Sequence, residues 1–135
     1  MIPVIVPEVH AVLITGGKSE RMGQPKALLD FRGNTFIAHL LMALQPQVNS
    51  LCLLGQPAGV SLADLGLEII QDEQDGPLAA IAKAMRLSRK SWVLFAPCDN
   101  PLLPADYAKQ MLYSARHQQA KLVYVEKDGR AQPLY

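Results

Sequence analysis

The chain is short of the residue types that most often announce chemistry. It has two cysteines, three histidines and one tryptophan among 135 residues, and aromatics make up 6%. Cys52 and Cys98 lack the CxxC spacing of a redox or zinc site and sit in apolar runs, so packed, reduced thiols are expected. His10, His39 and His117 are scattered, with no Cys or His partner at ligand spacing, so the pattern offers neither a zinc site nor a nucleophile's base. Charge is sparse too. Charged residues are 19% of the chain and the net charge is +1, which leaves no global field to attract nucleic acid or an anionic membrane. No apolar run approaches a membrane span. The start, "MIPVIVPEVH", has no basic residue ahead of its apolar run and carries two prolines, unlike a signal peptide. These absences set the expectation of a soluble cytoplasmic protein with no nucleic-acid or membrane partner.

What is present is a hydrophobic half, 50% of all residues, in a length that suits one domain over residues 1–135. Apolar runs alternate with helix-like stretches, the pattern of a mostly parallel α/β sheet. Residues 9–15 read as a buried first strand ending at Gly16-Gly17, and 27–31 as a short extended piece closed by a turn at Arg32-Gly33-Asn34. Over 35–44, Phe36, Ile37, Leu40, Leu41 and Leu44 fall at helical spacing, with Asn34 or Thr35 as the cap. Residues 51–54 and 67–70 read as strands, and 77–87 as a helix that carries proline in its first turn and Leu78, Ile81 and Met85 on one face. A fourth strand is expected over 92–96, a helix over 104–118 and a fifth strand over 122–126. There "KDGR" makes a hairpin-like turn into 132–135. The chain stops as that sixth strand begins, which leaves an open sheet edge and sets the expectation of a fragment or a naturally shortened form.

In open parallel sheets, ligands bind beyond the carboxyl ends of the strands. Three polar stretches follow expected strand ends: "GGKSERMGQPK" after the first, "QDEQDGP" after the third and "PCDNP" after the fourth. Gly17-Lys18-Ser19 looks like the tail of a P-loop, but a P-loop needs glycine five positions before Gly17, where Val12 stands, and an uninterrupted helix afterwards, where Gly23 and Pro25 intervene. It is a glycine-turned loop of another design. Gly16 and Gly17 would let backbone amides approach phosphate oxygens closely, and Arg21 and Lys26 would add charge. Near a protein surface, each such contact at 4 Å is on the order of 4 kcal/mol. The alternative is a solvated surface loop. Asp99 would repel a polyphosphate on the same rim unless a divalent cation lay between them, and magnesium suits one carboxylate plus phosphate oxygens. Its alternative role is to cap the following helix, which Asn100 and Asp106 could also do. Asp72 could accept hydrogen bonds from ribose hydroxyls or a base edge, or belong to an acidic solvated loop with Glu73 and Asp75.

Taken together, "AVLITGGKSERMGQPKALL", "DGPLAAIAKAM", "APCDNPLLP" and "DGRAQPLY" resemble the molybdenum cofactor guanylyltransferases, nearly end to end and in order. The resemblance implies a three-layer, Rossmann-like, mostly parallel sheet with helices on both faces, lacking the C-terminal part of the usual domain. It implies that GTP binds with magnesium, that a molybdopterin phosphate attacks the α-phosphorus, and that pyrophosphate leaves. By position, Ile14, Thr15, Gly16 and Gly17 would lie against the nucleotide. Arg21 and Lys26 would neutralise the triphosphate and the leaving pyrophosphate, Asp72 would contact the nucleoside, and Asp99 would hold magnesium. Transient contact with molybdoenzymes or their chaperones is implied as well. Three positions depart from the pattern: Thr15 stands where the family usually has Ala, Ala80 where it has Gly, and Leu54-Gly55 where members often place an Asn near the base. Gln56 is the nearest amide to that last position. Cytidylyl transfer to molybdopterin, or sugar-phosphate nucleotidyl transfer, is therefore a second expectation, and a shortened nucleotide-binding protein without catalysis a third.

Overall fold

A computed structural model describes residues 5–15, 28–55, 62, 65–71, 77–98, 102–120, 126, 127, 130 and 131. Four parallel strands form its centre: β1 (Val9–Ile14), β4 (Leu51–Leu54), β5 (Glu68–Ile70) and β6 (Trp92–Pro97), in the order β5-β4-β1-β6. Their carboxyl ends are level, because Ile14 pairs with both Leu54 and Pro97, and Leu54 pairs with Ile70. The chain runs from β1 outward through β4 to β5, then returns through helix α2 (Pro77–Leu87) to β6 on the other side of β1. Strand order thus reverses beside β1, where open α/β sheets form their ligand crevice.

Alternation along the strands supplies two apolar layers, as a sheet covered on both faces requires. Val9, Ala11, Leu13, Leu53, Leu94 and Ala96 face helices α1 (Phe36–Leu44) and α3 (Tyr107–His117). Val12, Cys52, Leu54 and Ile70 form a second cluster with Ala80 and Ala84 of α2. Each fully buried leucine, such as Leu13 or Leu53, contributes roughly 1.5–3 kcal/mol over an exposed one. The three-layer α/β expectation is met. The inward face of α2 is different, however. Met85 is 57% exposed, and Ala80 and Ala84, one turn apart, make the contact instead. Small side chains let the helix sit close to the sheet, which turns the larger Met85 outward.

Other boundaries moved for local reasons. The expected extended piece before α1 is one arm of a hairpin, β2 (Asp30–Phe31) with β3 (Asn34–Thr35). Its two-residue turn places both Arg32 (φ 52°) and Gly33 (φ 90°) in the left-handed region that such tight turns require. Thr35 caps α1, its hydroxyl accepting from the Ala38 amide at 3.2 Å. His39 of α1 hydrogen-bonds the Phe31 carbonyl through Nε2 and so fastens the hairpin to the helix. α3 begins at Tyr107 rather than at Pro104, since the residues up to Asp106 form a turn closed by Tyr107 N–H to Pro104 O. Near the end, β7 (Glu126–Lys127) pairs antiparallel with β8 (Arg130–Ala131), consistent with the expected hairpin. Residues 121–125 and 132–135 lie outside the described residues, and with them most of the expected fifth strand and the stretch read as the sixth. Among the described residues no helix is long and apolar enough to cross a membrane.

Candidate functional site

Level strand ends make a rim. At that rim the described chain breaks off at Thr15 after β1, Gly55 after β4, Gln71 after β5 and Cys98 after β6. The segments that follow carry the three polar constellations. The stretch with Gly16, Gly17, Arg21 and Lys26 leaves β1, Asp72 follows β5, and Asp99 follows β6. All six of these residues lie outside the described residues, as does Gln56, so only their points of departure are placed. Those points are adjacent. β1 and β6 are neighbours at the strand-order reversal, and β4 and β5 continue the row on the other side of β1. At about 4.8 Å per gap, the row from β6 to β5 is about 14 Å wide.

The rim itself is stitched together. Thr15 is 4% exposed, and its amide donates to Leu54 O at 3.0 Å. Its hydroxyl donates to Gly55 O at 2.6 Å, and the Gly55 amide donates to Ile70 O at 2.7 Å. Both donors of Thr15 are therefore engaged within the protein. Ile14 is half-buried and packs against the α2 side of the sheet. Leu54 is 3% exposed inside the same cluster, so its side chain is core. Lys83 of α2 donates to Gln71 O at 3.4 Å, at the last described residue before Asp72. Motif reading missed Lys83, because a lysine on a helix that also carries Arg86 gives no signal of its own.

α3 has Asp106 at its N-cap position, seven residues beyond Asp99, which itself lies outside the described residues. Asp106 itself makes no capping bond and accepts instead from Gln110 Nε2 at 2.7 Å. The first-turn amide of Ala108 is satisfied from afar, by Gln47 Oε1 at 2.8 Å. Arg32 sits in the β2–β3 turn with its guanidinium 4.8 Å from the Phe31 ring centroid.

A second cluster lies toward the opposite, amino end of the strands. His10 bonds Ser50 Oγ through Nδ1 and Cys52 Sγ through Nε2, the latter at 3.3 Å. A Cys–His pair invites a nucleophile reading, but burial and then Glu68 push the Cys52 thiol up to about 11, so it stays protonated and inert at neutral pH. Burial also holds His10 below its ordinary value; Glu68 opposes the shift and Lys90 adds to it. Folding thus keeps His10 neutral, and the unfolded chain binds more protons once the pH drops below about 6.5. His10's contribution is present in full above that value and is lost as the pH falls toward the lowered folded one. The urea midpoint is expected to fall between pH 7.5 and pH 5.5; a level midpoint contradicts a half-buried, neutral His10. No three His, Cys, Asp or Glu among the described residues are placed to share a metal ion.

Comparison with known proteins bears on this rim. The family model described as "MobA-like NTP transferase domain" matches residues 11–135. A protein named molybdenum cofactor guanylyltransferase from Shewanella sediminis is 32% identical over 131 residues, covering 94% of this chain and 67% of its own length. A protein of the same name from Shewanella baltica is 31% identical with the same coverage. Among solved structures, Rv0371c from Mycobacterium tuberculosis superposes with a TM-score of 0.58 at 20% identity, over 84% of this chain and 63% of its own. The 2-C-methyl-D-erythritol 4-phosphate cytidylyltransferase from Thermus thermophilus superposes with a TM-score of 0.57 at 18% identity, over 90% of this chain and 62% of its own. At those identities the two structures bear on the fold alone. The chain spans about two thirds of the curated relatives' length and less than that of the solved chains.

Proposed function

Because the chain belongs to the MobA-like NTP transferase domain family, and so to the nucleotidyltransferase enzymes, we propose that it transfers GMP from GTP to the phosphate of molybdopterin and releases pyrophosphate. One observation carries the reading: the order β5-β4-β1-β6 with level ends, which starts the glycine-and-cation segment and the Asp99 segment side by side at the strand reversal. The guanylyltransferase relatives supply the substrates in this proposal.

On this reading the triphosphate lies over the ends of β1 and β6 and the nucleoside over β4 and β5. Amides at Gly16 and Gly17 approach the phosphates, and Ile14 and Thr15 form the floor beneath them. Arg21 and Lys26 neutralise the β- and γ-phosphates and then the leaving pyrophosphate. Asp72 accepts from the nucleoside. An acceptor phosphate oxygen forms the new bond to the α-phosphorus as the bond to the bridging oxygen breaks, and pyrophosphate carries away that electron pair. The acceptor is already ionised at neutral pH, so no general base is needed, in keeping with His10 and His39 being bonded elsewhere. A lone aspartate beyond β6 fits the donor set of magnesium, which takes one or two carboxylates and completes its shell with water and phosphate oxygens. Asp99 would hold it, and the ion would supply charge neutralisation across the phosphates.

Cytidylyl transfer is the second reading. It is favoured by Leu54 being core and Gly55 lacking a side chain, which leaves Gln56 as the first amide after β4. With magnesium present, GTP is expected to raise the melting temperature more than CTP, ATP or UTP; stabilisation by CTP alone would select the cytidylyl reading. Pyrophosphate release on adding molybdopterin separates an enzyme from a protein that only binds nucleotide. Lys26→Ala is expected to weaken GTP binding about tenfold or more while leaving guanosine binding nearly unchanged. Equal weakening of both would remove the phosphate role from this loop.

A further inference from the structure

The strongest unexplained feature of the rim is a side chain whose hydroxyl points at the protein rather than at solvent. Thr15 Oγ1 donates to Gly55 O at 2.6 Å and lies 3.4 Å from Leu54 O, in a site 4% exposed. Gly55 sits at φ 75°, a left-handed conformation that glycine adopts freely, so the backbone by itself does not select the direction of its carbonyl. Two bonds select it. The Gly55 amide is held by Ile70 O at 2.7 Å, and its carbonyl is held by the Thr15 hydroxyl. The result is a continuous chain of hydrogen bonds across β1, β4 and β5, directly beneath the points where three rim segments depart. Residues 15 and 55 are 40 positions apart, so this tie is tertiary and not part of any local turn.

We propose that Thr15 is a positioning residue: its hydroxyl fixes the direction in which the chain leaves β4 toward Gln56, and it thereby serves recognition of the nucleoside rather than of the phosphates. This rests on the nucleotide-site reading of the rim. The physical reason is preorganisation. With the Gly55 carbonyl fixed before ligand arrives, the end of β4 needs no rearrangement on binding. Without the hydroxyl, the carbonyl turns toward other partners, and that cost is met at each binding event. The β1 loop, by contrast, departs from the Thr15 main chain, whose amide stays bonded to Leu54 O whatever the side chain.

The test is titration of the 135-residue chain with GTP and, separately, with inorganic pyrophosphate, both with magnesium. Thr15→Val keeps the shape and removes the donor; Thr15→Ser keeps the donor. Thr15→Val is expected to weaken GTP about tenfold, the worth of one well-made buried hydrogen bond, and to change pyrophosphate by less than about twofold. Thr15→Ser is expected to bind GTP like wild type. If valine prevents folding, Thr15→Ala provides the same comparison. Wild-type GTP affinity in the hydroxyl-free variants, or equal losses of GTP and pyrophosphate, overturns the proposal and leaves the nucleotide site standing. Absence of GTP binding by the wild-type chain overturns both.

Discussion

Replacing Gln47 with leucine is expected to destabilise the protein by about 2–5 kcal/mol, although glutamine to leucine hardly changes the volume that is filled. Gln47 is 1% exposed and uses its whole amide. Nε2 donates to Ala43 O at 2.8 Å and to Pro104 O at 2.9 Å, and Oε1 accepts from the Ala108 amide at 2.8 Å. The side chain thus satisfies a carbonyl at the end of α1 and an amide in the first turn of α3, two groups that helix geometry leaves without partners. Its main chain adds two further ties, to Leu44 O and from the Val6 amide. In the leucine variant Pro104 O keeps its bond from Tyr107, but the half-buried Ala43 O and the buried Ala108 N–H lose theirs. Each such group costs about 1–3 kcal/mol. Asp106→Ala is the matched control. It sits at the N-cap position of α3 but makes no capping bond, so its loss is expected to cost under about 1 kcal/mol. Equal midpoints in urea for Gln47→Leu and wild type would show that the buried amide does not anchor α3.

Asp99→Ala is expected to lower turnover about 10²- to 10³-fold, the scale for losing one group that meets charge in a phosphoryl-type transition state. Magnesium dependence is the sharper readout, because the proposed role of Asp99 is to let a polyanion share the rim with a carboxylate through a divalent ion. Pyrophosphate release titrated with magnesium should require far more metal in the variant, while the melting temperature of the free protein stays close to wild type. That second expectation follows from α3, which begins at Tyr107 and takes its distant cap from Gln47. The N-cap position of that helix belongs to Asp106, seven residues further on. An unchanged magnesium requirement would show that this carboxylate is not the metal's ligand, and the rim would then have to admit triphosphate by cationic side chains alone.

The chain's own pattern determined a good deal. Strand 51–54 and helix 77–87 are placed where the periodicity put them, because strands buried on both faces read as unbroken apolar runs and a proline-led helix has a marked start. The family, too, was legible in the order of four motifs. What the pattern could not supply was which side of each element faces inward and what distant groups meet. Local amphipathicity pointed to Met85, but close approach to Val12 and Cys52 chose Ala80 and Ala84. Asp106 is the local candidate to cap α3, but Gln47, 61 residues before Ala108, does the work. By sequence Thr15 is one departure from the family pattern at the end of the first strand; only the fold brings the Gly55 carbonyl within 2.6 Å of its hydroxyl. Periodicity encodes the contacts a residue makes within its own helix or strand. Hydrogen bonds between residues 40 to 61 positions apart exist only once the sheet has set its order, so they belong to tertiary structure.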